Sequence, residues 1–290
     1  MKKVLFILVA TAVCMQCTVD QKPNSKFGGV QIGAITYSYR SMPDQSLEAT
    51  LDYIVQSGIN SVELLGGTVE NYAGIPANRN EATQWRKTVS MDKFKEIKEM
   101  FNEKGVDIHI LNIGSPEWSD EEIDYAFNIC KALGAEGIVM EISEEAVQRI
   151  SPFADKHNLY AIFHNHGQPE DPDFSFDTLL AYGSRLMLSF DVGHYYSATG
   201  LDPCDLIKRL HHRIANLHLK DKTWEGSYKQ SKNLPFGEGQ TPIVEILQLI
   251  QKEKWPIVCH IEQEYDIPQD SDAVKEVIKC VEYCRKALIK

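Results

Sequence analysis

Basic charge is the first thing this 290-residue sequence lacks: 30 lysines and arginines stand against 41 aspartates and glutamates, a formal net charge of −11. Binding to nucleic-acid phosphates relies on clustered Lys and Arg, so so acidic a chain is not built for that partner. Cysteine is sparse. Beyond residue 17 only Cys130, Cys204, Cys259, Cys280 and Cys284 remain, an odd set without zinc-like spacing. Cys280 and Cys284 fall four apart on an expected helix, with Cβ atoms about 5–6 Å apart, beyond the roughly 3.5–4.5 Å of a disulfide. All five read as core or free thiols. No apolar run after residue 17 approaches the roughly 20 residues of a membrane helix. No glycine-rich phosphate loop, internal repeat or dividing linker appears either, so one domain is the simplest organisation.

The amino terminus has its own pattern. Lys2 and Lys3 precede the apolar run Val4–Val13, which is too short to span a bilayer and is built like a secretory signal. The expected division is a signal over residues 1–17, a polar tether over 18–29 and a catalytic domain over 30–290. Export follows, to the periplasm or the membrane surface. Cys17 stands where a lipoprotein signal places its modified cysteine, and Pro23, Asn24 and Ser25 follow as a tether. Gln16 precedes it where such signals carry a small residue. A lipidated form anchored through Cys17 and a free form therefore both stand.

From residue 30 onward, short apolar runs alternate with amphipathic stretches, the mark of repeated βα units and a parallel sheet. Eight runs read as strands: Gln31–Tyr37, Ser61–Leu65, Asp107–Ile113, Gly137–Ile142, Leu159–His164, Leu186–Asp191, Ile214–Leu219 and Ile257–Glu262. Eight close an α/β barrel, a (β/α)8 TIM barrel. Between them, Ser46–Ser57 and Met91–Lys104 read as helices stopped by Gly58 and Gly105. Another starts at Ser119 and stops at Gly134, and Thr241–Lys254 has Pro242 at a favoured first position. Gly66–Ser90, His166–Phe174 and Asp221–Gln240 read as long loops on the catalytic face.

Ionisable residues gather at the carboxyl ends of these strands: Glu63, Glu141, His164, His166, Asp191, His194, His218, Lys220, His260, Glu262 and Glu264. Side chains alternate along a strand, so His164 and His166 share a face, as do His218 with Lys220 and His260 with Glu262 and Glu264. Burying so many charges in one barrel mouth is costly unless they are paired. A bound cation removes much of that cost. Mixed His, Asp and Glu ligands suit Mn²⁺, Zn²⁺, Co²⁺ or Mg²⁺, and imidazole favours the transition metals. Taken singly, Glu63 or Glu141 reads as a hydrogen-bonding strand end, His109 as a satisfied core histidine, and Lys220 as a neutraliser of carboxylates. Four late strands that each end in a metal-compatible residue are poorly explained by chance.

Phe163-His164-Asn165-His166-Gly167, Phe190-Asp191, Gly200-Leu201-Asp202-Pro203, Leu217-His218-Leu219-Lys220-Asp221, Gly237-Glu238-Gly239 and Ile261-Glu262-Gln263 together resemble the xylose-isomerase-like sugar phosphate isomerase/epimerase superfamily. The resemblance covers nearly the whole chain after residue 30. It implies a TIM barrel holding one divalent metal, with Asp191, His218 and Glu262 matching three of its ligands. Many members carry Glu-Asn-His at the fifth strand, where this chain has His164-Asn165-His166, as in the branch with His-Asn-His. The fourth ligand is therefore His164, whose motif is matched in register, or Glu141 on the neighbouring strand.

The resemblance also implies isomerisation or epimerisation of a (keto-)sugar through a metal-stabilised enediolate, and expected export with no glycine-rich phosphate loop points to an unphosphorylated one. Base candidates are Glu262, Glu141 and His194. Glu63, His166 and Lys220 are the expected partners of substrate hydroxyls, and Tyr37, Trp85, Trp118 and Trp224 offer aromatic faces. The same site supports a lyase or hydratase acting on 3-keto-glycosides. A non-catalytic carbohydrate-binding protein is the other class. Members of the superfamily often form oligomers, but the sequence shows no interface.

Overall fold

The computed structural model describes residues 22–289. The expected signal, Cys17 and the first part of the tether lie outside the described residues. Eight parallel strands form the barrel, here β1 (Val30–Ile35), β2 (Ser61–Leu65), β3 (Asp107–Asn112), β4 (Gly137–Glu141), β5 (Tyr160–His164), β6 (Leu186–Asp191), β7 (Ile214–Leu219) and β8 (Val258–Ile261). Each pairs with its neighbours in chain order, and β8 closes on β1 through Cys259 opposite Ile32. The eight expected strands are all present, within two residues at each end. Within residues 18–29, expected as a tether, Lys26–Phe27 pairs antiparallel with Val30–Gln31 and the Ser25 hydroxyl is buried against Ile32 and Asn60.

Helices cover the barrel because their apolar residues recur on one face. In α5 (Asp120–Leu133), Ile123, Ala126, Phe127 and Cys130 are all buried, and each large apolar side chain so buried contributes roughly 1.5–3 kcal/mol. Ser119 and Glu122 form a reciprocal capping box at its start, and Gly134 ends it at φ 78°, a left-handed conformation that costs glycine no Cβ clash. Thr241–Lys254 is helical as expected from Ile243 to Glu253, but Pro242 caps the helix instead of opening it. The five cysteines among the described residues are free and buried. Among the described residues, no helix is long and apolar enough to cross a membrane.

Gly66–Ser90 departs from expectation. It folds into two helices, Gly66–Ala73 and Arg79–Thr88. The second has one buried apolar residue, Ala82, so its sequence carries no apolar stripe to read. It is held instead by Arg86, which donates to Glu70 at 2.7 Å and to Glu122 at 3.2 Å. The Asp221–Gln240 connection is pinned by the Asp221 carboxylate, which accepts from the backbone N–H groups of Gly237, Gly239 and Thr241 at 2.8–3.1 Å. A Cβ on Gly239 would lie 2.2 Å from Asp221, which explains why a residue without a side chain stands there.

Inside the barrel, Ile110, Val139, Ile162 and Ala215 form an apolar plug. Polar side chains occupy the barrel beyond it, set by two register shifts, between Val62 and Glu63 and between Leu188 and Ser189. The first shift sets Glu63 level with Ile110, deep in the barrel and away from the rim. Replacing Ser119 with Ala removes one half of the capping box and should cost about 1 kcal/mol. Urea unfolding would register this as a lower midpoint with an unchanged slope, and no shift would show that the cap contributes nothing.

Candidate metal centre and active site

His164, Asp191, His218 and Glu262, from β5, β6, β7 and the residue after β8, are all buried, and one ligand atom from each lies within 4.8 Å of the others. The metal-ligand candidates read from the sequence thus come together. His218 is the hub. Its Nε2 donates to Glu63 at 2.6 Å and its Nδ1 to Glu262 at 2.8 Å. Burial alone would lower its pKa, but the two carboxylates outweigh that and raise it to about 10. Both carboxyl groups are held well below their usual range, because His218, together with Lys220 at Glu262, overrides the effect of burial.

Lys220 is the second cation. Its ammonium lies 2.6 Å from Glu264, 3.2 Å from Glu262 and 3.5 Å from Asp191, and it donates to His194 Nε2 at 2.8 Å. These carboxylates keep it charged against the pull of burial. Helix α8 (Val192–Thr199) begins directly after Asp191, and Gly193 lets it approach β7: a Cβ there would lie 2.4 Å from the Lys220 carbonyl oxygen.

The donor set fits a divalent cation. Four carboxylates, Glu63, Asp191, Glu262 and Glu264, have two cations within ion-pair distance, Lys220 and the His218 imidazolium, with Lys222 buried farther off. Asp191 Oδ2 and His164 Nδ1 are buried without a hydrogen-bond partner, a costly state that coordination would relieve. Burial and the His218 charge hold His164 well below its usual pKa, so its imidazole is neutral; His218 would ligate through Nδ1 only on giving up that proton, with Nε2–H kept on Glu63. Glu141 stands apart from this set. Its half-exposed carboxylate accepts from His166 Nδ1 at 2.8 Å and from the Gln168 amide. Of the two candidates for the fourth position, His164 is therefore the one in the cluster.

Several expected roles change. Glu63 is fully buried beneath His218 and held by Asn112 at 2.9 Å, so it has no access to a substrate hydroxyl. Lys220 is also fully buried, spent on carboxylates and His194. His194 is a poor base: Lys220 occupies its Nε2, Tyr228 contacts its Nδ1 at 3.1 Å, and burial with the Lys220 charge lowers its pKa strongly. Glu262 is shared between His218 and Lys220, which suits a ligand better than a base. Trp118 lies under the Arg86 guanidinium, Trp85 packs edge-on against Phe94 and Tyr125, and Trp224 sits over Gly200. None of the three lines the cavity above the cluster. His109 is buried as expected, but its Nδ1 has no partner.

That cavity, of about 330 Å³, is lined by Tyr37, Leu65, Asn112, Met140, Glu141 and His166 above the ligands His164, His218 and Glu262. Its size is that of a small-molecule site. His166 stays at the cavity, as expected of a substrate-contacting residue. Burial lowers its pKa, and Glu141 outweighs this and raises it. Asn112, Asn216, Gln168 and Tyr228 were not singled out in the sequence. Asn216 had a readable signal, since it lies two residues before His218 on the same strand face. Gln168 and Tyr228 come from loops and had none.

A family model described as xylose isomerase-like TIM barrel matches residues 139–284. No curated protein matches the chain by sequence. Among solved structures, a sugar phosphate isomerase/epimerase from Parabacteroides distasonis is similar at 17% identity and a TM-score of 0.63, over 90% of this chain and 96% of that one. The probable 3-DHS dehydratase AsbF from Bacillus anthracis matches at 15% identity and a TM-score of 0.62, over 88% and 98%. The IOLI protein with a bound zinc atom matches at 13% identity and 0.64, over 89% and 98%. At these identities the three show a shared fold.

The Glu63 contact gives a test that needs no substrate. Carboxylates behind a ligating histidine commonly raise metal affinity about 10–100-fold. Glu63→Gln should weaken metal binding by that order in competition with a chelator, with circular dichroism unchanged. An unaltered affinity would show that the carboxylate does not serve the metal.

Proposed function

The chain belongs to the xylose isomerase-like TIM-barrel family, and on that premise we propose that it is an exported, divalent-metal-dependent isomerase or epimerase of an unphosphorylated keto-sugar. The observation that carries this reading is the buried cluster of His164, Asp191, His218 and Glu262 at the floor of a sugar-sized cavity. These four residues would hold the ion. When bound, a divalent cation acts as a Lewis acid that polarises a carbonyl and its neighbouring hydroxyl and so acidifies the adjacent C–H.

The chain's own groups supply the proton transfer. His166 donates Nδ1–H to Glu141, which leaves Nε2 as the free ring nitrogen of a residue lining the cavity. It accepts the proton from carbon and returns it to the neighbouring carbon on the same face, which is isomerisation; epimerisation requires a second donor on the opposite face. Glu141 orients the ring and stabilises its charged form, and the Gln168 amide holds Glu141 in place. Lys220, locked among Asp191, Glu262 and Glu264, holds Glu262 well below its usual pKa and opposes the rise that burial causes at Asp191. Leu65 and Met140 supply apolar wall, and Tyr37 an aromatic face. The cavity lining includes no lysine or arginine but does include Glu141 and Glu262, which favours an uncharged sugar over a phosphorylated one.

Export fits an unphosphorylated substrate, since sugar phosphates are mainly cytosolic. It rests on Lys2 and Lys3 followed by Val4–Val13, with Cys17 as the point where lipid would tether the chain. The same acid–base pair also suits expulsion of a β-substituent from a keto-glycoside.

Elemental analysis of protein purified without chelator should find about one equivalent of Mn, Zn or Co, lost in an Asp191→Ala/His218→Ala double variant. Metal retained by the double variant, or none bound by the parent even after incubation with each cation, would sink the proposal and leave a sugar-binding protein. Glu141→Gln should keep the metal yet slow C–H exchange in heavy water by about 10²–10⁴-fold across an aldose and ketose panel. Metal loss in that variant would instead make Glu141 a ligand. Product mass separates the two readings, because isomerisation conserves mass and elimination releases the substituent.

A further inference from the structure

Tyr37 and His166 line the cavity above the metal cluster from opposite walls. Tyr37 lies two residues beyond the end of β1, and His166 two beyond the end of β5. The eight strands pair in chain order and close, so β1 and β5 stand four strands apart whichever way the ring is followed. That is the greatest separation an eight-stranded barrel allows. His164, His218 and Glu262 lie at the floor between the two walls.

The turn that carries Tyr37, a short 3-10 helix over Thr36–Tyr39, is fixed by its neighbours. The Thr36 hydroxyl accepts from the Leu65 backbone N–H at 3.0 Å, which ties the turn to β2. Buried Ser38 donates to the Ile261 carbonyl at 3.1 Å and accepts from the Gln263 N–H at 3.0 Å, so it clasps the chain on both sides of Glu262. Arg40 donates to the Gln263 carbonyl at 2.6 Å and stacks its guanidinium over the Tyr37 ring, 4.6 Å from the centre. None of these bonds uses the phenol. Tyr39 in the same turn is buried in the core, whereas Tyr37 stays 38% exposed at the cavity. Among the cavity-lining residues, Tyr37 is the one titratable group outside the ligand set and the His166–Glu141 pair.

We propose that Tyr37 is the second acid–base group of this site, that its phenol gives a proton to the sugar carbon on the face opposite His166, and that the reaction is epimerisation beside a ketone. The inference rests on the keto-sugar reading given above and supplies the donor that inversion requires. His166 Nε2 takes the C–H proton, and the bonding electrons pass toward the carbonyl oxygen. The Tyr37 O–H proton then bonds to the same carbon from the other side, which inverts it and leaves a phenolate. Both rings are partly exposed, so proton exchange with water restores them. In the reverse direction the two groups trade roles: the phenolate removes the proton and the His166 imidazolium returns one.

The test is NMR in heavy water on the metal-loaded protein, with the epimeric ketose pairs ribulose and xylulose, fructose and psicose, and tagatose and sorbose. At least one pair should interconvert, with solvent deuterium at the inverted carbon. Tyr37→Phe keeps the ring and removes the proton, and it should slow epimer formation by about 10²–10⁴-fold. Its signature is one-sided exchange. The epimer whose hydrogen faces His166 should exchange it at close to the parental rate, while exchange from the other epimer falls along with interconversion. A ring that serves only as wall would leave every rate at the parental value, which would overturn the inference. Equal loss of exchange from both epimers, the mark of a substrate-binding role, would overturn it too, as would a parent that converts ketoses to aldoses and forms no epimer. If the parent exchanges no C–H of any ketose or aldose, the keto-sugar reading itself falls, and this inference with it.

Discussion

The imidazole of His218, gripped by Glu63 on one nitrogen and Glu262 on the other, is the contact around which the barrel mouth is organised. Both carboxylates are buried where an unpaired charge is costly, so each depends on the ring and the ring depends on both. Glu262, fixed in this way, meets Lys220, and Lys220 in turn holds Asp191, Glu264 and His194. One chain of charge-assisted contacts therefore runs from the barrel interior to its rim. It still carries more negative than positive charge, which is what a site for a cation requires.

Glu63, Asp191, His218, Lys220 and Glu262 are all buried, and Ile110, Val139, Ile162 and Ala215 form a separate buried apolar cluster. In that low-dielectric setting the contacts are stronger than they would be in water, and the cost of breaking any one is higher. The acid–base pair is placed differently. His166 and Glu141 are close to half exposed, so they can exchange protons and meet a substrate while the ligands beneath them stay fixed. Buried candidate ligands below and a more open His166–Glu141 pair above are thus set apart, and the Gln168 amide braces that pair.

Much of the fold was legible because a parallel sheet buried on both faces needs continuous apolar runs, and eight such runs separated by helical stretches permit few arrangements. The polar helix at Arg79–Thr88 was not legible. It is held by Arg86 reaching Glu70 and Glu122, long-range ion pairs that leave no periodic trace in the sequence. The clustering of His164, Asp191, His218 and Glu262 was legible because strand alternation and strand ends are local properties, which the motif at His164–His166 and the spacing of the other three expose directly.

Sequence alone determined which residue types stand at the carboxyl ends of the strands and which of them share a face, because a strand's two-residue repeat is a property of the chain itself. Depth was decided by the tertiary structure. Glu63 and Glu141 look alike in sequence, each a glutamate in an apolar strand. The register shift beside Glu63 and the closure of the barrel put it beneath His218, while Glu141 stays at the rim with His166. Lys220 and His194 likewise looked free to meet a substrate until β7 and helix α8 brought them together. Register and closure depend on all eight strands at once, so no local segment contains them.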